Sequence, residues 1–364
     1  MATTVSIHGS EAPVAPHVTN LPDSARPFEQ GTIPLMISGH LAKACRTGLV
    51  GLLVAVLAPA VAFAQERSLD LPYLYEPPLP SPGDAATREF GNGVRMYGDL
   101  TYSDVVGYRP LKLDLYLPEN AASGAPLPVV VWFHGGGYRI GNPRSDWTYG
   151  DWSAVLARLS ARGYAVAGVT YRFKQEASYP AQLEDAHAAL AFLRMHAGRW
   201  NLDKQRVYSW GLSAGAHLAL MVGVMSPNAD PQHQVAGAVD WFGPTDFAAN
   251  RSERSLQSHS VLLGCPATCT DERFTEASPA TYVSAKTPPT LIVHGVEDNL
   301  VPIEQADILY DRMKRAGARV TYDRMEGMSH GFEGGSSVQL EQILMRTFDF
   351  FDSLADEGDG NIER

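Results

Sequence analysis

Between residues 100 and 117 apolar and polar positions alternate. The pattern runs through Leu100-Thr-Tyr-Ser-Asp-Val-Val106 and again through Leu111-Lys-Leu-Asp-Leu-Tyr-Leu117. A period of two predicts two paired antiparallel strands, each with one buried face. Beyond them the pattern changes. Short, continuously apolar runs predict strands over 128–133, 165–171, 206–209, 236–241, 290–293 and 319–324. Longer runs of helical period separate them, over 152–162, 180–199, 214–225, 303–316 and 340–354. Strands apolar on both sides, alternating with helices, imply a mostly parallel sheet with helices on both faces, an α/β fold. No internal repeat is present. The stretch 246–285 lacks a clear period, is polar and lies between two core strands. Such sheets bind ligands beyond the carboxyl ends of their strands, which places this insertion where it could wall a pocket. It is too short to form a cap domain of its own.

The N-terminal third breaks the pattern. Residues 1–35 are rich in Pro, Ser, Thr and Gly without apolar periodicity, and read as disordered or as an over-long start ahead of Met36. From Met36 the chain carries Lys43 and Arg46, then an apolar run from Gly48 to Val61, then Ala62-Phe63-Ala64. A positive segment, a short apolar segment and a small-x-small ending make 36–64 a signal peptide, with export and a new N-terminus at Gln65. The apolar run is shorter than the roughly 20 residues of a membrane span, so no stable membrane anchor is expected. Residues 65–98, with Glu76-Pro-Pro-Leu-Pro-Ser-Pro82, read as an extended strap. The domain is expected over 99–355, followed by an acidic, frayed tail over 356–364.

The chain has 364 residues and a formal net charge of −11, which argues against nucleic acid and anionic membranes as partners. Cys45 leaves with the signal peptide. Cys265 and Cys269 remain, an even number, in Gly264-Cys-Pro-Ala-Thr-Cys269. In an oxidising compartment the pair is expected to form a disulfide. Zinc ligation is the weaker reading, because no second ligand pair with zinc-type spacing lies nearby.

The chemistry-bearing signal is Gly211-Leu212-Ser213-Ala214-Gly215. A β-prone run leads into it and an Ala/Leu/Met-rich helical run leads out. A Gly-x-Ser-x-Gly in a strand–turn–helix context reads as a nucleophile elbow, with Ser213 Oγ exposed at the top of a sheet. The two glycines fit because a Cβ at either place would collide with backbone. A second signal is the apolar run ending in His134-Gly135-Gly136-Gly137. Consecutive glycines let amides approach a carbonyl oxygen, so Gly136, Gly137 and Ala214 are the expected oxyanion donors. His134 reads as a brace for that loop. A third stretch, His294-Gly-Val-Glu-Asp-Asn-Leu-Val-Pro302, ends a strand in a loop with two acids, Glu297 and Asp298. A fourth, Met325-Glu-Gly-Met-Ser-His-Gly-Phe332, follows the strand-like 319–324.

With these motifs in order, 97–354 resembles the α/β-hydrolase superfamily. Within it the chain is similar to esterases bearing the His-Gly-Gly-Gly motif, of the feruloyl/acetylxylan-esterase-like or hormone-sensitive-lipase-like groups. Thr170-Tyr-Arg172, Tyr179-Pro-Ala-Gln-Leu-Glu-Asp185 and Gly243-Pro-Thr-Asp246 support the likeness. The lipase-like group usually has an acidic residue where Leu212 stands and Gly where Ala216 stands. Ser213-Ala-Gly-Ala-His217 sits closer to the first group. The resemblance implies a triad in the chain order Ser, acid, His. It favours Asp298 over Glu297, by its spacing from His294-Gly295 and Val301-Pro302, and leaves His294 structural. Of eleven histidines only His330 follows Asp298, which makes it the base. The implied function is a serine carboxylesterase acting on small acyl or aryl esters, without metal or organic cofactor. The alternative is hydrolysis of carbohydrate-linked esters. A prolyl-oligopeptidase-type peptidase lacks its propeller-sized N-terminal domain here. A non-catalytic binding protein on this fold would typically have lost a triad member.

Overall fold

A computed structural model of the chain describes residues 87–146, 149–250, 252–266 and 269–360. The expected extension at 1–35 and signal peptide at 36–64 lie outside the described residues. Nine strands form one sheet: β1 (Arg88–Phe90), β2 (Val94–Ser103), β3 (Leu111–Pro118), β4 (Leu127–Phe133), β5 (Ala165–Val169), β6 (Leu202–Leu212), β7 (Gly237–Trp241), β8 (Thr290–Gly295) and β9 (Val320–Met325). Their spatial order is β1-β2-β3-β5-β4-β6-β7-β8-β9. Every pairing from β5 to β9 is parallel. The β1–β2, β2–β3 and β3–β5 pairs are antiparallel. The alternation at the start of the domain is therefore the antiparallel edge, and the continuous apolar runs are the parallel centre.

Two domain boundaries move. The sheet begins at Arg88, so the strap expected over 65–98 ends in strands β1 and β2. The start of β2 escapes a period-two reading because its register against β3 shifts between Tyr97 and Leu100. Asp99 sits there at φ 58°, with its N–H on Asp114 Oδ1. A bulge of this kind interrupts side-chain alternation. At the other end, the last helix runs to Gly360, through the boundary placed at 355. Glu357 on it is held by Arg319 at 2.6 Å.

The helices are α1 (Trp152–Ser160), α2 (Ala181–Met195), α3 (Ala214–Met225), α4 (Glu253–Leu263), α5 (Asp271–Glu276), α6 (Glu304–Ala316) and α7 (Ser337–Gly360). α1 and α7 cover one face of the sheet, where Trp132, Trp152, Trp210 and Trp241 pack together. Ring centroids are 4.9 Å apart for Trp132–Trp152, 5.6 Å for Trp152–Trp210 and 5.1 Å for Trp210–Trp241. α2 and α3 cover the other face, joined by α6 beside β8. α2 stops short of 199 because the backbone breaks at His196 and turns again at Ala197–Trp200. No helix among the described residues is long and apolar enough to cross a membrane.

The stretch 246–285 is not featureless. It forms α4 and α5, each started by a hydroxyl cap: Ser252 accepts from Ser255 N–H and Thr270 from Arg273 N–H. Both helices are too short and polar for their period to show. Cys265 and Cys269 are bonded between them, with Cα atoms 5.3 Å apart.

The chain order along the sheet reverses between β4 and β6, which are neighbours with Phe133 level with Gly211. Two strands that connect in opposite directions leave a crevice at their carboxyl ends. The Gly-rich loop leaves β4 at that edge, and the Ser213 turn leaves β6 beside it.

Trp152 is fully buried where three other indoles meet, so Trp152→Ala is expected to destabilise the fold by about 3–5 kcal/mol. Urea unfolding followed by circular dichroism checks this, and a loss below about 1 kcal/mol would show that the indole cluster is not a unit of the core.

Candidate active site

Strand β6 delivers Ser213 onto a sharp turn. The residue stands at φ 52°, ψ −118°, a region that costs about 1–3 kcal/mol for a residue with a side chain. Its N–H donates to the Trp241 carbonyl at 2.9 Å, which ties the turn to β7. The glycines on either side have no room for a side chain. A Cβ on Gly211 would lie 2.3 Å from the carbonyl of Gly215, and one on Gly215 would lie 2.0 Å from Phe133 O. The turn is therefore wedged against the end of β4.

His330 reaches Ser213 from the loop after β9. Its Nε2 lies 3.1 Å from Ser213 Oγ, and its Nδ1 lies 2.7 Å from Asp298 Oδ2. A carboxylate only accepts, so Nδ1–H donates to Asp298, and Nε2 is left to accept the Ser213 hydroxyl proton. The Phe242 ring, at the end of β7, meets the His330 ring edge-on at 4.9 Å. Phe242 adopts φ 47° and donates its N–H to the Val293 carbonyl. This support was hidden in the sequence, where Phe242 continues an apolar strand and reads as core.

Asp298 is buried, while Glu297 beside it is exposed. Asp298 Oδ1 accepts the N–H groups of Leu300 (2.9 Å) and Val301 (2.8 Å). His294 Nε2 stands 3.4 Å from Oδ2 while donating to the Val301 carbonyl at 2.8 Å. Burial pushes the Asp298 carboxyl up, but the His294 and His330 ring N–H groups and the Val301 amide outweigh it. The carboxyl lies well below the usual carboxylate range. The acid and base loops are laced together, with Glu297 N–H on Met328 O and Val296 N–H on Met325 O. A Cβ on Gly295 would sit 2.4 Å from Met328 O, so glycine there permits the close approach.

Opposite the triad lies the loop after β4. Gly136 and Gly137 have φ 108° and 61°, and a Cβ on Gly136 would fall 1.9 Å from Ile140 O. Among the described residues no acceptor takes the N–H of Gly136, Gly137 or Ala214. Ala214 also opens α3, whose N-terminus favours negative charge. His134 braces the loop as expected: its Nδ1–H donates to Gly135 O at 2.7 Å. Burial pushes its imidazole down to about 4, so it is neutral. Tyr171, not singled out in the sequence, completes the brace. It stacks on His134 with centroids 4.4 Å apart and donates its hydroxyl to His134 O at 2.7 Å. Its only sequence signal was membership of Thr170-Tyr-Arg172.

The 246–285 segment packs beside this loop. Phe247 lies between the His217 ring (5.0 Å) and the His259 ring (4.2 Å). His217 Nε2–H donates to Ala277 O at 2.7 Å, and its ring meets Tyr138 edge-on at 5.7 Å. Through Tyr138 and His217 the insertion flanks both the Gly-rich loop and α3.

The family model BD-FAE matches residues 113–313 of this chain. Among curated relatives, the "Probable carboxylic ester hydrolase LipM" of Mycobacterium tuberculosis is 25% identical over 70% of this chain and 63% of its own length. "Esterase LipC" of the same organism is 28% identical over 57% of this chain and 54% of its own. The chain thus spans less than two thirds of the length of either. Among solved structures, a truncated form of a carbohydrate esterase from gut microbiota superposes with a TM-score of 0.59 at 25% identity. That match covers 72% of this chain and 96% of the other.

Because the turn has no room for a methyl group, Gly215→Ala is expected to destabilise the chain by about 3 kcal/mol or more. Urea unfolding of the variant measures it, and a loss under about 1 kcal/mol would mean that α3 moves away from β4 at little cost.

Proposed function

The chain belongs to the BD-FAE family, and from the site it carries we propose that it is a serine carboxylic ester hydrolase working through an acyl-enzyme. The observation that carries this reading is the unbroken chain Ser213 Oγ–His330–Asp298, at 3.1 and 2.7 Å, on a strained turn facing free amides. The esterase names of the curated relatives support it.

In this reading Ser213 Oγ attacks the ester carbonyl carbon as His330 Nε2 takes the hydroxyl proton. The negative charge that forms on the carbonyl oxygen accepts hydrogen bonds from the N–H groups of Gly136, Gly137 and Ala214. The tetrahedral adduct collapses, and His330 Nε2–H protonates the departing alcohol oxygen. Water then attacks the acyl-enzyme, giving one proton to His330, which returns it to Ser213 Oγ as the carboxylic acid leaves. Asp298 stays ionised throughout and stabilises the imidazolium. The steps call for no cofactor. An intact Ser213, His330 and Asp298 speak against a non-catalytic binding protein. Within esters, small acyl or aryl esters are the first reading, and the likeness to a carbohydrate esterase supports sugar-linked acyl groups as the alternative.

We also place the mature chain outside the cytosol. The signal-type segment ending at Ala64 supports this, as does the Cys265–Cys269 disulfide, a bond that persists in oxidising compartments.

A chromogenic short-acyl ester assayed beside a peptide substrate tests the reaction class. Ser213→Ala is expected to remove ester hydrolysis without unfolding the chain, and Asp298→Asn to lower kcat by about 10⁴. A folded Ser213→Ala protein with undiminished activity would refute the proposal. N-terminal sequencing of exported protein is expected to start at Gln65, and an apolar segment retained there would count for a membrane anchor instead.

A further inference from the structure

Beside the Gly-rich loop stand two cations that the ester-cleaving steps do not use. Arg139 follows Gly137 by two residues and is exposed, and Lys174 is half-buried. Backbone bonds fix both to the loop. The Arg139 N–H donates to the Gly136 carbonyl at 3.1 Å, and the Lys174 N–H donates to the Tyr138 carbonyl at 2.7 Å. Gln175 Nε2 donates to the Arg139 carbonyl at 3.3 Å. The two cations thus share one hydrogen-bonded frame with the glycine amides offered to the ester.

Lys174 reaches from this frame to the insertion. Its Nζ donates to Ser258 Oγ on α4 at 3.1 Å. The next ring on α4, His259, stacks on Phe247, and Phe247 stacks on His217. His217 gives its backbone N–H to the Ser213 carbonyl at 3.1 Å. A ladder of three rings therefore runs from the nucleophile turn to the segment that the ammonium touches.

Neither charge is neutralised. Among the described residues no carboxylate pairs with Arg139 or Lys174. Glu176, the nearest acid along the chain, is spent elsewhere. Its Oε1 accepts Arg109 Nε–H, and its Oε2 accepts Arg109 Nη2–H and the Phe173 N–H. The ring ladder brings no charge either, since burial pushes His217 and His259 down to about 4. Burial and the like charge of Arg139 lower the Lys174 ammonium from its ordinary value. A half-buried cation in that state gains from any anion that reaches it. Among the described residues only one of its three N–H donors is used, and Ser258, which accepts it, has its own hydroxyl proton left to give. The chain as a whole carries a net charge of −11, so an unpaired pair of cations next to the oxyanion donors is a local exception.

We propose that Lys174 and Arg139, with the Ser258 hydroxyl, form a subsite for a carboxylate carried by the ester substrate at a distance from the scissile carbonyl. Lys174 and Ser258 hold the carboxylate by charge-assisted hydrogen bonds. Arg139, in solvent, adds to the field that draws it in. The triad cleaves the ester bond as before, and the subsite decides which esters are held in reach of it.

The inference rests on the ester-hydrolase reading, and two matched pairs of esters test it. 4-Nitrophenyl valerate and the mono-4-nitrophenyl ester of glutaric acid differ by a carboxylate at the acyl end. Phenyl acetate and 4-acetoxybenzoate differ by a carboxylate on the leaving group. With spontaneous hydrolysis subtracted, the unmodified protein is expected to favour the anionic member of one pair by about tenfold or more in kcat/KM, chiefly through KM. The pair that responds tells whether the anion belongs to the acyl or the alcohol part. Lys174→Met is expected to bring that ratio near one, Lys174→Arg to keep it within about threefold, and Arg139→Gln to lower it by a smaller factor. A ratio near one in both pairs overturns the proposal, as does a ratio that Lys174→Met leaves unmoved. A loss in Lys174→Met as large for the neutral ester as for the anionic one would mark a structural role and overturns it too. If the unmodified protein cleaves none of the esters, the Ser213 reading fails instead. Calorimetric titration with glutarate and with 4-hydroxybenzoate then decides the subsite: binding that is lost in Lys174→Met supports it, and equal binding in both proteins, or none in either, overturns it.

Discussion

The site depends on one close approach of backbone to backbone, where α3 begins against the end of β4. Gly215 lies so near the Phe133 carbonyl that a Cβ would come within 2.0 Å of it. That contact sets where Ser213 points and how far its hydroxyl stands from the Gly-rich loop. Interiors are packed too densely for either partner to yield, so the nucleophile and the amides facing it are placed by a rigid wedge. Positive φ at Ser213, Gly136 and Gly137 is the local conformational cost of putting reactive groups where two neighbouring strands end.

The acid side solves a different problem. A carboxylate must be removed from water and stay charged, and an isolated buried charge would be neutralised. Asp298 is stabilised by two loop amides, by His330 and by a nearby His294. Asp240, one strand further in, has a single donor and is pushed up to about 7.

The insertion between β7 and β8 links the two halves. Its helices attach to α3 through His217, and their junction is closed by the Cys265–Cys269 disulfide. A segment with few periodic apolar positions is anchored by rings stacked across Phe247 and by a short covalent loop.

Much of this was legible in the chain itself. Continuous apolar runs are buried on both faces wherever they fall, so the parallel centre of the sheet followed from local pattern. The glycines around Ser213 and at 135–137 marked backbone that a Cβ would obstruct, the single trailing histidine pointed to His330, and the resemblance carried by the motifs favoured Asp298 over Glu297. Local pattern could not show what arises only when distant segments meet. The bulge at Asp99 masks the start of β2, because alternation fails where the strand kinks. α4 and α5 bury Leu262, Leu263 and Phe274 in the core they share with α2 and α3, and their own period is too short to register. Phe242 and Tyr171 look like ordinary strand or loop residues in the sequence. Their neighbours are Phe332 and His330, and His134. Those meetings across the sheet are set by strand order and register, which tertiary packing decides and no short stretch of sequence contains.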